Sequence, residues 1–336
     1  MRAVLTNRTV RPFLLLVAIA VAIWLLDAGR GRFFTPATAF SVMQQFATVG
    51  PIALALGLTM VIREFDLSVG GMMSLAGCVA VLTGAHHPVL GVAASVLAGG
   101  VAGMCQGTIM VRLRLGSIGV TLGGLLTLGG LAYVITGDLS IAYPRMDVAI
   151  AVNRPVLQIL SLRSIVALAA FLFAALVMAR TRIGRDVYAS GSDRRAARVA
   201  GVRVGWIVVG VFALSGMLSA LGGSLLSYSL ATASGVALTD ALVPATAAAI
   251  IGGVSLAGGR GTPIGIAGGV LVLSLLRAGL NAIGTQPSVQ DIVTGGVLLV
   301  VALADAPDLG RRLFALRARR SRLFGIAGSA ARPTRG

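Results

Sequence analysis

The chain has 336 residues, 57% of them hydrophobic and only 12% charged, where a soluble domain carries about 25% charged residues. Its net charge of +17 rests on 28 basic residues, every one an arginine. No aromatic-studded basic patch accompanies that charge, which argues against nucleic acid as a partner. Basic residues instead gather on the cytoplasmic loops of inner-membrane proteins. These features exclude an ordinary soluble domain and point to an all-α polytopic membrane protein.

Apolar blocks between charged punctuation predict about ten transmembrane helices, near residues 11–28, 44–62, 67–84, 88–111, 117–137, 163–180, 205–229, 240–257, 262–283 and 287–304. Arg2, Arg8 and Arg11 precede the first block, Phe13–Leu26, as in a secretory signal. No small-residue cleavage site follows, so the block reads as a retained first span. Phe33–Val42 reads as an interfacial stretch. With both termini cytoplasmic, 22 of the 28 arginines fall on the inner side. Arg30, Arg32, Arg145, Arg154 and Arg163 fall outside, and Arg277 is embedded. That asymmetry supports the orientation and a multi-pass inner-membrane location. The transmembrane domain runs over residues 1–310, and 311–336 is a basic cytoplasmic tail.

Glycine is abundant, with 45 residues, much of it at helical spacing: Gly99, Gly103 and Gly107; Gly119 and Gly123; Gly261, Gly265 and Gly269. A companion ladder is Ser215, Ser219, Gly223 and Ser227. Small residues four apart let helix backbones approach closely in lipid, so these faces read as helix contacts rather than ligand sites. Glycine clusters beside charged turns, at 66–71 and 258–261, suggest short or broken helices, which membranes tolerate where backbone is buried or lines a cavity. The strings at 70–77 and 252–259 echo one another, as an internal duplication would. Asp66 fits a cap on the half-helix Leu67–Leu82, neutralised by Arg63; an ion relay is the alternative. Cys78 and Cys105 read as free packing residues, and His86-His87 as a solvated turn.

Enzymatic chemistry is poorly provisioned. No helically spaced pair of carboxylates lies in a span, and no zinc-spaced His/Cys set is present. No catalytic residue, metal site or cofactor is expected. A phosphate-cradling loop requires lysine, which this chain lacks; ATP, if used, is bound by a partner.

The largest internal polar loop is Thr181–Arg203. Ser192 is a candidate N-cap and Gly201 a candidate C-terminal stop for a helix of about eight residues, too short to stand alone. Ala196, Val199 and Ala200 give it a small apolar face, with Arg194, Arg195 and Arg198 directed elsewhere. Such a helix either docks into a groove or lies on anionic membrane lipid.

From Thr181 to Asp305 the chain resembles permease subunits of ribose-type (carbohydrate uptake class 2) ABC importers. The resemblance is carried by T-R-I-G-R-D-V-Y-A-S-G-S-D-R-R-A-A-R-V-A-G-V at 181–202, A-L-S-G-M-L-S-A-L-G-G at 213–223, I-I-G-G-V-S-L-A-G-G-R-G-T at 250–262 and Gly279–Asn281. F-D-L-S-V-G-G-M at 65–72 and T-L-G-G-L-A-Y-V-I-T-G at 127–137 extend it in the family's order. It implies that 181–203 is a coupling loop seated on a cytoplasmic ABC ATPase subunit, through Gly184, Arg185, Tyr188, Gly191, Ala196, Ala197 and Gly201. It also implies a periplasmic or lipid-anchored solute-binding protein and a second permease subunit, as homodimer or heterodimer. Two departures stand out: arginines at 194 and 195 where the family often has acidic residues, and Leu242 and Pro244 in place of a common acidic pair.

Sugars are recognised by planar polar groups and aromatic faces. The candidate translocation-path residues are Gln44, Gln45, Gln106, Tyr133, Tyr228, Ser229, Arg277 and Asn281. An embedded arginine must pair or reach water, so Arg277 either pairs with Asp291 or lines the path. The expected function is import of a sugar or similar small polar solute. The alternatives are a branched-chain amino acid or nucleoside permease of the same superfamily, an ion-coupled secondary carrier, and a membrane-embedded enzyme.

Overall fold

The computed structural model describes residues 9–28, 30–235 and 241–304; the basic tail at 311–336, Arg2 and Arg8 lie outside them. Thirteen α-helices occur among the described residues. Six are long and apolar enough to cross a membrane: α2 (Pro36–Val61), α4 (Pro88–Leu113), α5 (Ser117–Thr136), α7 (Leu162–Arg180), α10 (Val204–Leu230) and α12 (Pro263–Ala282). Four apolar helices are shorter: α1 (Arg11–Leu26), α3 (Val69–Thr83), α11 (Leu242–Ile251) and α13 (Pro287–Ala304). The remaining polar or half-buried helices are α6 (Met146–Asn153), α8 (Arg182–Ser192) and α9 (Arg194–Val199). Residues up to Asp291 form one compact unit, and 292–304 belong to a second that holds the rest of α13.

The chain is mostly helical, with one small departure from an all-α fold. Ile141–Ala142 (β1) pairs antiparallel with Thr232–Ala233 (β2), Ile141 opposite Ala233. The expected interfacial stretch at 33–42 is also corrected. Thr35 caps α2 through the N–H of Thr38, Pro36 occupies the first turn, and the helix runs 26 residues from there. Proline is pre-organised for a first turn, so the span starts earlier than hydropathy alone suggests.

At the centre lies α10, packed on α4, α3 and α2. Its closest approach is to α4, and glycine makes it. A Cβ on Gly99 would strike the Gly216 carbonyl, one on Gly216 would strike the Gly99 carbonyl, and one on Gly103 the Phe212 carbonyl. Along the same helix Ser215, Ser219, Gly223 and Ser227 are buried, and a Cβ on Gly223 would meet the backbone of Met73 in α3. A second layer places α12 on α2, α1 and α11. Here Gly265 and Gly269 abut Gly252 and Ala248, and Gly279 receives the side chain of Ile23. The first span is therefore seated in the bundle.

Gly119 and Gly123 do not behave as expected: a Cβ on either would meet nothing within 4 Å, so they make no helix contact within the described chain. The echoing strings also part company, since 70–77 is helical within α3 while 252–259 forms the turns after α11. Their likeness has no structural counterpart.

Candidate translocation and coupling sites

A half-buried polar cluster forms where the middle of α2 and the start of α7 meet the ends of α6 and α10. Gln44 and Thr48 come from α2, Asn153 from the last turn of α6, Arg163 from the first turn of α7 and Ser229 from the end of α10. Ser161 caps α7 reciprocally with Ser164, and its hydroxyl donates to Gln44 Oε1 at 3.1 Å. Gln44 Nε2 donates to Asn153 Oδ1 at 3.2 Å, which also accepts from Ser229 Oγ at 2.8 Å. The amide of Asn153 donates to the Ser229 carbonyl at 3.0 Å. Arg163 completes the set, donating to Ser229 Oγ at 2.6 Å and to Thr48 Oγ1 at 2.7 Å.

Arg163, one of the arginines placed on the outer side, is 5% exposed and so buried in the bundle. Its Nε has no partner, and no carboxylate belongs to the cluster. A buried cation held only by hydroxyls is costly. It leaves the cluster electropositive and rich in groups that can exchange hydrogen bonds with a solute. Gln44 and Ser229 were legible as candidates; Thr48, Asn153 and Arg163 were not, because what joins them is contact between residues more than sixty apart in the chain.

The other path candidates are dispersed. Tyr228 is 1% exposed, stacked on Tyr143 with ring centroids 4.5 Å apart and within 3.0 Å of the carbonyls of Ala80 and Pro88. It is a core residue, correcting its assignment to the path. Gln106 is buried between α4 and α5, where a Cβ on Gly124 would lie 2.7 Å from its Nε2; its packing too is structural. Gln45 and Tyr133 are half-buried and Asn281 is exposed. Arg277 Nη2 donates to Asp291 Oδ1 at 2.9 Å, the pairing that was one of the two arrangements open to it.

Asp66 does not cap α3, whose N-cap is Ser68 with no side-chain cap bond. Its Oδ1 accepts from the Ser68 N–H at 3.0 Å, and its Oδ2 accepts from the Ser215 hydroxyl at 2.7 Å. The carboxylate thus ties the turn before α3 to α10. Arg63 reaches the Ser192 carbonyl instead of Asp66.

The arginine-rich segment lies at the opposite end of α7 and α10, about 25 Å from Arg163 along α7 at 1.5 Å per residue. It forms two helices. Thr181 caps α8 through the Gly184 N–H; Asp193, rather than Ser192, caps α9 through the N–H groups of Arg195 and Ala196. Those N–H groups, Ala196 first, hold the Asp193 carboxyl below the usual range, with Arg63 adding to the effect. Gly201 follows the stop with φ of +85°, as a helix end requires.

The pair is clamped onto two turns. Gly191 abuts the Val61 carbonyl, which also accepts from the Gly259 N–H at 2.8 Å. Tyr188 donates to the Gly261 carbonyl at 2.8 Å, and burial pushes its phenol up. Arg194 Nη2 donates to the Ile62 carbonyl at 2.9 Å and pairs with Glu64. The α8–α9 pair is thus joined to the end of α2 and to the turn between α11 and α12. Gly184, Gly191 and Ala197 are buried, whereas Arg185, Ala196 and Gly201 are exposed. Ala197 faces the chain's own interior; the outward face of α9 is Arg195, Ala196 and Val199, the last 90% exposed.

A mostly helical membrane bundle with an interior polar cluster and a separate basic platform is the build of a transport permease. The chain belongs to the family described as branched-chain amino acid transport system / permease component, whose model matches residues 38–302. Among its relatives, the ribose import permease protein RbsC of Escherichia coli (strain K12) is 32% identical over 299 residues, covering 86% of this chain and 92% of that one. The fructose import permease protein FrcC of Rhizobium meliloti is 30% identical, covering 87% and 83%. The L-arabinose ABC transporter permease protein AraH of Azospirillum brasilense is 29% identical, covering 81% of each. No solved structure matches the chain. Family membership makes it a multi-pass inner-membrane protein.

Proposed function

We propose that this chain is the permease subunit of an ATP-driven importer of a sugar, working beside a second permease subunit, cytoplasmic ATPase subunits and a solute-binding protein. Relatives named for ribose, fructose and arabinose, aligned over four-fifths or more of this chain, support the substrate class. The observation that carries the reading is mechanical: α7 and α10 each run from the clamped arginine-rich helices at one end to the Arg163 cluster at the other.

In this reading ten helices cross or enter the membrane and both termini are cytoplasmic, which keeps 22 of 28 arginines inside. The α8–α9 platform then faces the ATPase, and Arg185, Ala196, Val199 and Gly201 form its contact. Gly184, Tyr188, Gly191 and Ala197 hold the platform to the bundle. The solute meets the cluster of Gln44, Asn153, Arg163 and Ser229, with Gln45, Tyr133 and Asn281 as further path candidates. ATP hydrolysis belongs to the partner, since this chain has no lysine for a phosphate loop. Nucleotide state selects between two helix packings; reversing a 1:99 preference requires about 5.5 kcal/mol of differential binding.

The family description names branched-chain amino acids, which keeps a second substrate class in view. A cluster of amides, hydroxyls and a guanidinium suits a polyhydroxylated solute better than an aliphatic side chain. The test is accumulation of radiolabelled ribose, fructose, arabinose and leucine in cells co-expressing the chain with its ATPase and binding protein. One sugar should accumulate, and only with an active ATPase. Uptake that survives ATPase inactivation but collapses with the proton gradient would indicate an ion-coupled carrier instead.

A further inference from the structure

We propose that a cleft between the end of α4 and the start of α10 binds the phosphate headgroup of an anionic phospholipid. The cleft has a volume of about 520 Å³ and is walled by Arg114, Arg194, Arg198 and Arg203, with Glu64 as the carboxylate among its lining residues. Arg194 is engaged by Glu64 and the Ile62 carbonyl, and Arg198 Nε donates to the Arg194 carbonyl at 3.1 Å. Arg114 and Arg203 are exposed and make no side-chain hydrogen bond among the described residues. Four guanidinium groups thus face one carboxylate, and two of the four are free to take a phosphate oxygen.

The level of the cleft identifies the source of that phosphate. Arg114 follows the last residue of α4 and Arg203 precedes the first of α10, both helices of membrane-crossing length and hydropathy. The two guanidiniums therefore stand at a hydrocarbon boundary. Trp206, three residues beyond Arg203, is 73% exposed, and tryptophan collects at the membrane–water interface. The remaining wall is apolar, with the exposed side chains of Val111 and Leu115 offering a surface to glycerol and acyl chain. Basic pockets between transmembrane helices have this lipid-binding chemistry. Arg194 and Arg198, four apart on α9, border the cleft, whereas Arg195, Ala196 and Val199 lie on the helix's other side. The lipid site and the proposed ATPase contact are separate faces, and the lipid site does not depend on what the permease carries.

The experiment is native mass spectrometry of the purified chain with added phosphatidylglycerol or phosphatidylcholine. The unmodified chain should retain phosphatidylglycerol selectively. Arg114→Gln with Arg203→Gln should lower that retention by roughly twenty-five-fold, at about five-fold per guanidinium, and Arg195→Gln should not change it. Equal retention of the two lipids, or undiminished phosphatidylglycerol in the double variant, overturns the proposal. Displacement of the lipid by millimolar inorganic phosphate would overturn the lipid assignment in favour of a free anion; resistance to it supports the lipid. A double variant that keeps its lipid yet loses a co-purifying ATPase would assign the cleft to that partner and also overturn it. Should the double variant not fold, a photoactivatable phosphatidylglycerol headgroup on the unmodified chain decides. Adducts within 110–115 or 203–208 support the site, and adducts confined elsewhere overturn it.

Discussion

Arg163, the second residue of α7, donates to the hydroxyl of Ser229, the penultimate residue of α10, at 2.6 Å. This bond and the one to Thr48 fasten three helices at one end of the bundle. Both acceptors are neutral, so the fastening can open without stranding a buried carboxylate. In the proposed importer this fastening is a latch, and its opening requires that the freed guanidinium gain a solute or water partner.

The latch yields the first prediction. Arg163→Met and Ser229→Ala should each lower thermal stability in detergent, and the double variant should be less destabilised than the sum of the two. A hydrogen bond to a charged group is worth about 1.5–3 kcal/mol, and a coupling of about that size is expected from the cycle. Additive losses would remove the latch from the account.

On the coupling platform, burial separates two neighbouring variants. Val199→Glu, at a 90% exposed position, should leave the melting temperature unchanged and abolish ATPase co-purification. Ala197→Glu, at a 3% exposed position, should destabilise the chain itself, because it buries an unpaired carboxylate. Retention of the ATPase by a folded Val199→Glu protein would remove α9 from the interface.

The glycine ladders make a paired prediction of opposite sign. Gly99→Leu forces α4 from the backbone of α10, and overpacking of this kind costs about 1–3 kcal/mol or more. Gly123→Ala meets nothing within 4 Å and should leave stability unchanged or slightly raised, since alanine favours helix. Chemical or thermal unfolding in detergent distinguishes them. Equal losses would contradict the packing.

The Arg277–Asp291 pair is real but shallow. Asp291 is 72% exposed and Arg277 28%, so solvent screens the pair and a double-mutant cycle should give no more than about 1 kcal/mol. A larger coupling, measured by unfolding, would mean that Asp291 is covered by a partner in the assembled protein.

The bundle was legible because hydrocarbon demands long apolar blocks. Spans expected at 88–111, 117–137 and 205–229 emerge as α4, α5 and α10 within two residues at each end. Polar side chains were harder to place. Tyr228 and Gln44 look alike in sequence, each a polar group within an apolar run, yet one stacks in the core and the other joins the cluster. The sequence places Arg163 on the outer side at the start of a span but not its burial, and only the convergence of α2, α6, α7 and α10 encloses it. Ala197 was assigned with its neighbour Ala196 to one docking face, but a six-residue helix lying on a bundle must turn one side inward. Each error concerns long-range packing, which local sequence does not encode.

In the proposed importer this chain is a conduit moved by a separate ATPase through α8 and α9. The most direct test reconstitutes it in sealed vesicles with labelled sugar and binding protein outside, with and without the ATPase and trapped ATP. Sugar should accumulate above the external concentration only when ATPase and ATP are both present, and should fail to do so with Val199→Glu. Uphill accumulation by the chain alone would contradict the account.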